Sequence, residues 1–184
     1  MATKSITVKE KIANAFDSLK GDFGYKNVMQ SPRIEKIVVS TGTGKIEDKG
    51  KIALIQDRLA RITGQKPAPR AAKQSIASFK LREGDVIGYQ VTLRGAQMES
   101  FLEKFINLTL PQTRDFRGLK TSAIDEMGNM TIGIKEHTIF PETHGEEIKD
   151  VFGLAVTIVT TAKSKKEAEA LLRHIGLPLQ TETA

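Results

Sequence analysis

The stretch ITGQKPAPRAAKQSIASFKLREGDVIGYQVTLRG, residues 62–95, decides how the chain is read. From Lys66 to Arg82 it carries Lys66, Arg70, Lys73, Lys80 and Arg82, and no acid. Its apolar content there is thin: small alanines, Ile76, Phe79 and Leu81, too little to bury an element unaided. The pattern then changes. Ile87, Tyr89, Val91 and Leu93 alternate with Gly88, Gln90, Thr92 and Arg94, the period of a half-buried strand with one apolar and one polar, basic face. A basic arm returning into such a strand suits a polyanion. Amides, lysines and arginines meet phosphates, and the strand's outer face reads shape or base edges. A solvated hairpin loop accounts for the charge equally well, since runs of like charge commonly face water.

Outward from this stretch, helices and strands interleave. Residues 7–20 predict an amphipathic helix with Val8, Ile12, Ala15, Phe16 and Leu19 on one face, ended by Gly21 and Gly24. RIEKIVVST predicts a strand with Ile37 and Val39 on one face and Ile34, Lys36, Val38 and Ser40 on the other. A helix follows over about 49–63, with Ile52, Ile55, Leu59 and Ile62 in a stripe and Gly64 as its cap. After the basic arm, Met98, Phe101, Leu102, Phe105 and Ile106 mark a helix that stops before Pro111. MTIGIKE and LAVTIVTTA read as strands, the second as a buried strand rich in β-branched residues. Ser164 and Glu167 form a capping box for a last helix buried through Ala168, Leu171, Leu172 and Ile175. The expected fold is α+β: a mainly antiparallel sheet of about four or five strands, helices packed on one face, and a long basic β-hairpin loop. Residues 1–184 read as one domain, with the extended loop over about 70–84. The open sheet face then collects Lys36, Ser40, Gln90, Thr92 and Arg94.

The chain of 184 residues carries 28 Lys and Arg against 22 Asp and Glu, a net charge of +6. That excess is moderate, so a local patch matters more than the total. Without Cys, disulfides and cysteine-ligated zinc are excluded. No apolar run approaches a membrane span, and MATKSITVKEK lacks a signal peptide's apolar core, so a cytoplasmic protein is expected. With no Trp and 5% aromatics, stacking on many rings is not the expected mode of RNA binding.

Few motifs point to catalysis. Gly42 and Gly44 lie between a strand and a helix as in a dinucleotide fingerprint, but the third glycine position holds Glu47, which opposes a pyrophosphate. A tight turn using positive φ explains the two glycines as well. His137, His144 and His174 lack helical metal-ligand spacing, although Glu136, Glu142, Glu146 and Glu147 lie near the first two; a polar surface loop is the simpler reading. No nucleophile–base arrangement is present, so no enzyme, cofactor or metal is expected. In RDFRGL, Asp115 holds one of Arg114 and Arg117 while the other faces a phosphate, or the pair fixes an aperiodic loop internally; both readings stand.

ITGQKP at 62–67, KQSIASFKLREG at 73–84, VTLRG at 91–95, LPQTRDFRGL at 110–119, GIKEHTIFPE at 133–142 and TIVTTAK at 157–163 resemble, in one order, the 5S-rRNA-binding family numbered fifth among large-subunit ribosomal proteins. The bacterial or organellar branch fits best, and the match runs from about Tyr25 to Leu179. The resemblance implies a structural protein of the central protuberance that holds 5S rRNA, touches 23S rRNA and neighbouring large-subunit proteins, approaches the P-site tRNA and bridges to a protein of the small-subunit head. Gln65 and Thr92 match its rRNA-binding side, with Lys36 and Arg94 as neighbours. Ser40 stands where the family usually has Asn, and a hydroxyl replaces only part of a carboxamide's hydrogen-bonding set. With Lys66, Arg114 and Arg117 these make the expected rRNA-binding residues. Lys73, Ser75, Ile76, Ala77, Ser78, Phe79, Lys80 and Arg82 make the tRNA-contact loop, expected to order only beside RNA because little burial offsets its entropy. The chain departs from the family at Ile124, Glu126, Met127 and Met130, where Phe, Gly, Arg and Tyr are common, so a basic contact is lost and an acid gained. Two other classes remain: a phosphate-handling or nucleotide-binding enzyme using the Gly42–Gly44 turn, and a free RNA-binding regulator.

Overall fold

The computed structural model describes residues 7–46, 48–114, 116–143 and 151–180. Strands β1 (Ile34–Gly42), β2 (Ala68–Ala71), β3 (Val86–Leu93), β4 (Met130–Ile134) and β5 (Leu154–Thr160) form one antiparallel sheet in the order β2–β3–β1–β5–β4. The helices are α1 (Val8–Ala13), α2 (Ala15–Phe23), α3 (Lys49–Thr63), α4 (Gly95–Lys104) and α5 (Lys165–Ile175). The α+β expectation, with its long hairpin, holds. Contacts divide the chain into two compact units: one from Met1–Ile37, Arg94–Ile132 and Thr157–Ala184, the other from Val38–Leu93 and Gly133–Val156.

In the first unit, Thr7 starts α1 through a capping box: its hydroxyl accepts the Glu10 N–H at 3.3 Å, and Glu10 Oε2 accepts the Thr7 N–H at 3.1 Å. The single helix expected over 7–20 is two, because Asn14 sits at φ −88° and ψ 2°, outside the helical well. Val8, Ala15 and Leu19 are buried as expected, while Ile12 and Phe16 are half-buried. Gly24, left-handed at φ 67°, ends α2; Gly21 lies inside it rather than ending it. Beyond α4 the backbone makes a π-helical turn over Phe105–Thr109. That turn adds a residue to the period, so the stripe is re-phased. Met98, Phe101, Leu102 and Phe105 are buried, whereas Ile106 is only half-buried and Leu108 is exposed. Ser164 caps α5 by accepting the Glu167 N–H at 3.3 Å. Glu167 does not close the expected box on Ser164. Its carboxylate accepts the Lys163 N–H at 2.8 Å and the Tyr25 hydroxyl at 2.9 Å, fixing residue 25 to the helix that follows β5.

Ile34, expected on the outward face of β1, is buried. Buried residues at 34 and 37 are three apart, so the alternation loses phase at the strand's start, where the Arg33 carbonyl accepts the Thr161 N–H at 2.9 Å. The buried strand expected from LAVTIVTTA is buried on one face. Leu154, Val156, Ile158 and Thr160 point inward, and Ala155, Thr157 and Val159 are half-exposed. Thr157 and Thr131 join their hydroxyls at 3.1 Å on that outer side.

In the second unit, α3 has the bounds its sequence predicts. The Gly50 N–H meets Asp48 Oδ1 at 2.8 Å at its start, Ile55, Leu59 and Ile62 are buried, and Gly64 ends it at φ 70°. The β2–β3 hairpin pairs Ala68 with Gln90, Pro69 with Tyr89 and Arg70 with Gly88, then bulges between Arg70 and Ala71. Arg70 and Ala71 therefore belong to a strand, and the loop begins at residue 72 rather than 70. Gly88 is required by contact: a Cβ there would stand 2.6 Å from the Thr41 carbonyl oxygen.

Candidate nucleic-acid interface

In the second unit, Val39 of β1 and Val91 and Leu93 of β3 point into the core. The alternate residues form the outer side: Ser40 on β1, and Gln90 and Thr92 on β3, all half-exposed. Ser40 is thus outward, as its parity predicts. Gln65 and Lys66 are exposed just past the α3 C-cap. Their position is set by buried Thr63, whose hydroxyl donates to the Leu59 carbonyl at 2.6 Å and accepts the Gln65 N–H at 3.4 Å. Arg70 on β2 donates from Nε to Gln90 Oε1 at 2.6 Å. Sequence reasoning missed this pair because residues 66–82 read as a basic arm with too little apolar content to form an element; Pro69 is tolerated because on an edge strand a proline's missing donor costs the ladder nothing.

The arm beyond is a shaped tip. Ile76 and Leu81 exchange backbone hydrogen bonds at 3.0 and 3.2 Å around a 3₁₀ turn, Ala77–Phe79. Lys80 is left-handed at φ 53°, a conformation non-glycine residues seldom adopt. The Ser75 hydroxyl accepts the Glu83 N–H at 2.9 Å, and Asp85 Oδ2 accepts the Arg82 N–H at 2.9 Å. Lys73, Ser75, Ala77, Ser78, Lys80 and Arg82 are exposed, and so are the apolar Ile76 (42%) and Phe79 (68%). Phe79 and Leu81 line a shallow cleft with Gly42, Gly44 and Lys45.

In the first unit, Lys36 is half-exposed on β1, and Arg94, just beyond β3, pairs with Glu35 at 3.2 Å. Arg114 and Arg117 are exposed. The Arg117 carbonyl accepts from Gln180 Nε2 at 3.0 Å, and Leu119 pairs with the 178–180 backbone, which holds the RDFRGL segment. Asp115, on which its two readings turned, lies outside the described residues, as do Glu47, His144, Glu146 and Glu147.

Two family models match nearly end to end: "Ribosomal protein L5" over residues 27–82, and the model of the same ribosomal family's C-terminus over 86–179. The chain belongs to the L5 family of ribosomal proteins. Its relatives include the large ribosomal subunit protein uL5 of Heliobacterium modesticaldum, 51% identical over 95% of this chain and 98% of that one. The uL5 of Halothermothrix orenii is 48% identical over 87% and 90%, and that of Anaeromyxobacter sp. strain K 46% over 88% and 91%.

Membership of the L5 family makes this a structural protein of translation and not an enzyme, with rRNA and ribosomal proteins as its class of partner. The Gly42–Gly44 turn, a candidate phosphate cradle by sequence, agrees. Thr43 and Gly44 N–H groups both donate to the Ile87 carbonyl, at 2.8 and 3.1 Å, so neither faces a ligand. Neither Gly42 nor Gly44 has positive φ, so the turn does not use the freedom the sequence suggested. His137 is not on a surface loop: it is fully buried, stacked on Phe152 with centroids 4.1 Å apart. Among the described residues no cluster of His, Asp or Glu could hold a metal ion.

Proposed function

We propose that this L5-family protein acts in the large ribosomal subunit as one domain that binds 5S rRNA through its polar sheet face. Ser40, Gln65, Lys66 and Thr92 of the second unit, and Lys36, Arg94, Arg114 and Arg117 of the first, are the rRNA-binding residues. The half-exposed polar side of β1 and β3 carries this reading, because double-helical and looped RNA are recognised by shape, 2′-hydroxyls and phosphates rather than by a deep pocket. In the assembled cytoplasmic subunit the protein touches 23S rRNA and neighbouring proteins and bridges to the small-subunit head. The exposed tip, from Lys73 to Arg82, contacts the P-site tRNA, and Ile76 and Phe79 pack there on RNA instead of in a core. The mechanism is positioning: cationic and hydroxyl groups on the strands and their connections hold RNAs in a fixed relation.

The test is affinity for a bacterial 5S rRNA transcript across a salt series. Binding that weakens linearly on logarithmic axes, with several phosphates neutralised, is expected. No preference for 5S rRNA over an unrelated RNA of equal length would overturn the reading.

A further inference from the structure

Arg70 falls within the basic run and reads, by sequence, as the start of the tRNA-facing loop. Its geometry is different. The hairpin register sets Ala68 directly opposite Gln90, so their side chains share a face. Arg70, two residues on, has the same parity, and the bulge falls only after it. Gln90 and Thr92 alternate with the buried Val91 and Leu93. Arg70 therefore stands on the polar side of the sheet with Gln90 and Thr92, and not on the tip.

Its guanidinium is also held. Gln90 Oε1 accepts the Nε–H at 2.6 Å, which leaves both η nitrogens unengaged by that bond. Among the described residues no carboxylate pairs with Arg70, whereas Arg94 shares its charge with Glu35 at 3.2 Å. A guanidinium fixed through Nε on a hydrogen-bonded strand presents a two-pronged donor, the geometry that fits a phosphate bidentately. Gln90 is neutral, so it orients the fork without cancelling its charge.

We infer that Arg70 grips an RNA phosphate from the polar sheet face and that Gln90 is the positioning residue that aims it. This rests on the RNA-binding reading above and adds to it a residue and a division of labour. Arg70 supplies charge and two hydrogen bonds. Gln90 supplies orientation only, so the two leave different signatures in a salt series.

The experiment measures affinity of the full chain for a 5S rRNA transcript from low to moderate salt, for wild type, Arg70→Ala, Arg70→Lys, Gln90→Ala, the Arg70→Lys/Gln90→Ala double variant and Arg94→Ala. Thermal melts confirm that each variant is folded. Arg70→Ala is expected to bind about tenfold more weakly and to flatten the logarithmic salt slope by about one. Because Glu35 already screens Arg94, Arg94→Ala flattens it less. Arg70→Lys keeps the slope but loses affinity, since an ammonium has no planar fork. Gln90→Ala lowers affinity about threefold with the slope unchanged, and the double variant is no weaker than Arg70→Lys alone. Wild-type affinity and slope in Arg70→Ala, with Arg94→Ala impaired, would overturn the inference while sparing the RNA reading. Additive losses in the double variant would give Gln90 its own RNA contact and defeat the positioning role. If wild type shows no preference for 5S rRNA, the reading beneath falls and takes the inference with it.

Discussion

At the scale of single residues, two substitutions separate contact from space. Ser40 is half-exposed on the outer side of β1, so Ser40→Asn has room for its larger amide. Its melting behaviour should match wild type within about 0.5 kcal/mol, with 5S rRNA affinity equal or tighter. A large drop in melting temperature without any change in affinity would remove Ser40 from the interface. Gly88 is the opposite case. A Cβ would stand 2.6 Å from the Thr41 carbonyl, and backbone on both strands must move to admit it. Gly88→Ala should cost about 1–3 kcal/mol in chemical denaturation. The sequence displayed Ser40's parity clearly, because alternation is a property of one strand. It displayed nothing of the Gly88 contact, which depends on how closely a second strand approaches.

At the scale of elements, the bounds of α3 were legible because its apolar stripe, Asp48 start and Gly64 stop agree. The break at Asn14 and the π turn after Lys104 were not, since each changes backbone geometry while leaving the apolar spacing nearly intact. Tyr25 shows how one element is tied to another. Burial first, then the hydrogen bond and charge of Glu167, push its phenol up to about 12. In the unfolded chain it titrates near 10, so folding favours the neutral phenol. That stabilisation is complete below about pH 10 and disappears as pH rises through 12. Tyr25→Phe should therefore lose about 1 kcal/mol at pH 7, and urea titrations should show its gap to wild type closing between about pH 10 and 12. The hairpin tip is separable in another sense. Its exposed Ile76 and Phe79 bury little, so deleting residues 75–79 should leave the melt and 5S rRNA binding near wild type. Reconstituted ribosomes carrying the deletion should release P-site tRNA faster. Unfolding of the truncated protein, or unaltered tRNA release, would sink the tRNA role of the tip.

At the scale of the whole molecule, the net charge of +6 is modest, and the groups proposed to face RNA sit on strands and their connections. A free regulator and a ribosomal constituent differ in where the protein resides. Tagged protein in cell extracts should sediment with large subunits and be stripped by high salt; a protein found mainly in the light fractions would favour the regulator. The strand order also governs how the molecule comes into being. The central β1 gains its β5 neighbour through partners far along the chain: Thr41 donates to the Gly153 carbonyl across 112 residues, and Arg33 to Thr161 across 128. During synthesis β1 keeps one edge of unpaired N–H and C=O groups until β5 has emerged. Folding is then limited by a late, long-range closure, and a prematurely ended chain exposes a template for aggregation rather than a smaller working domain.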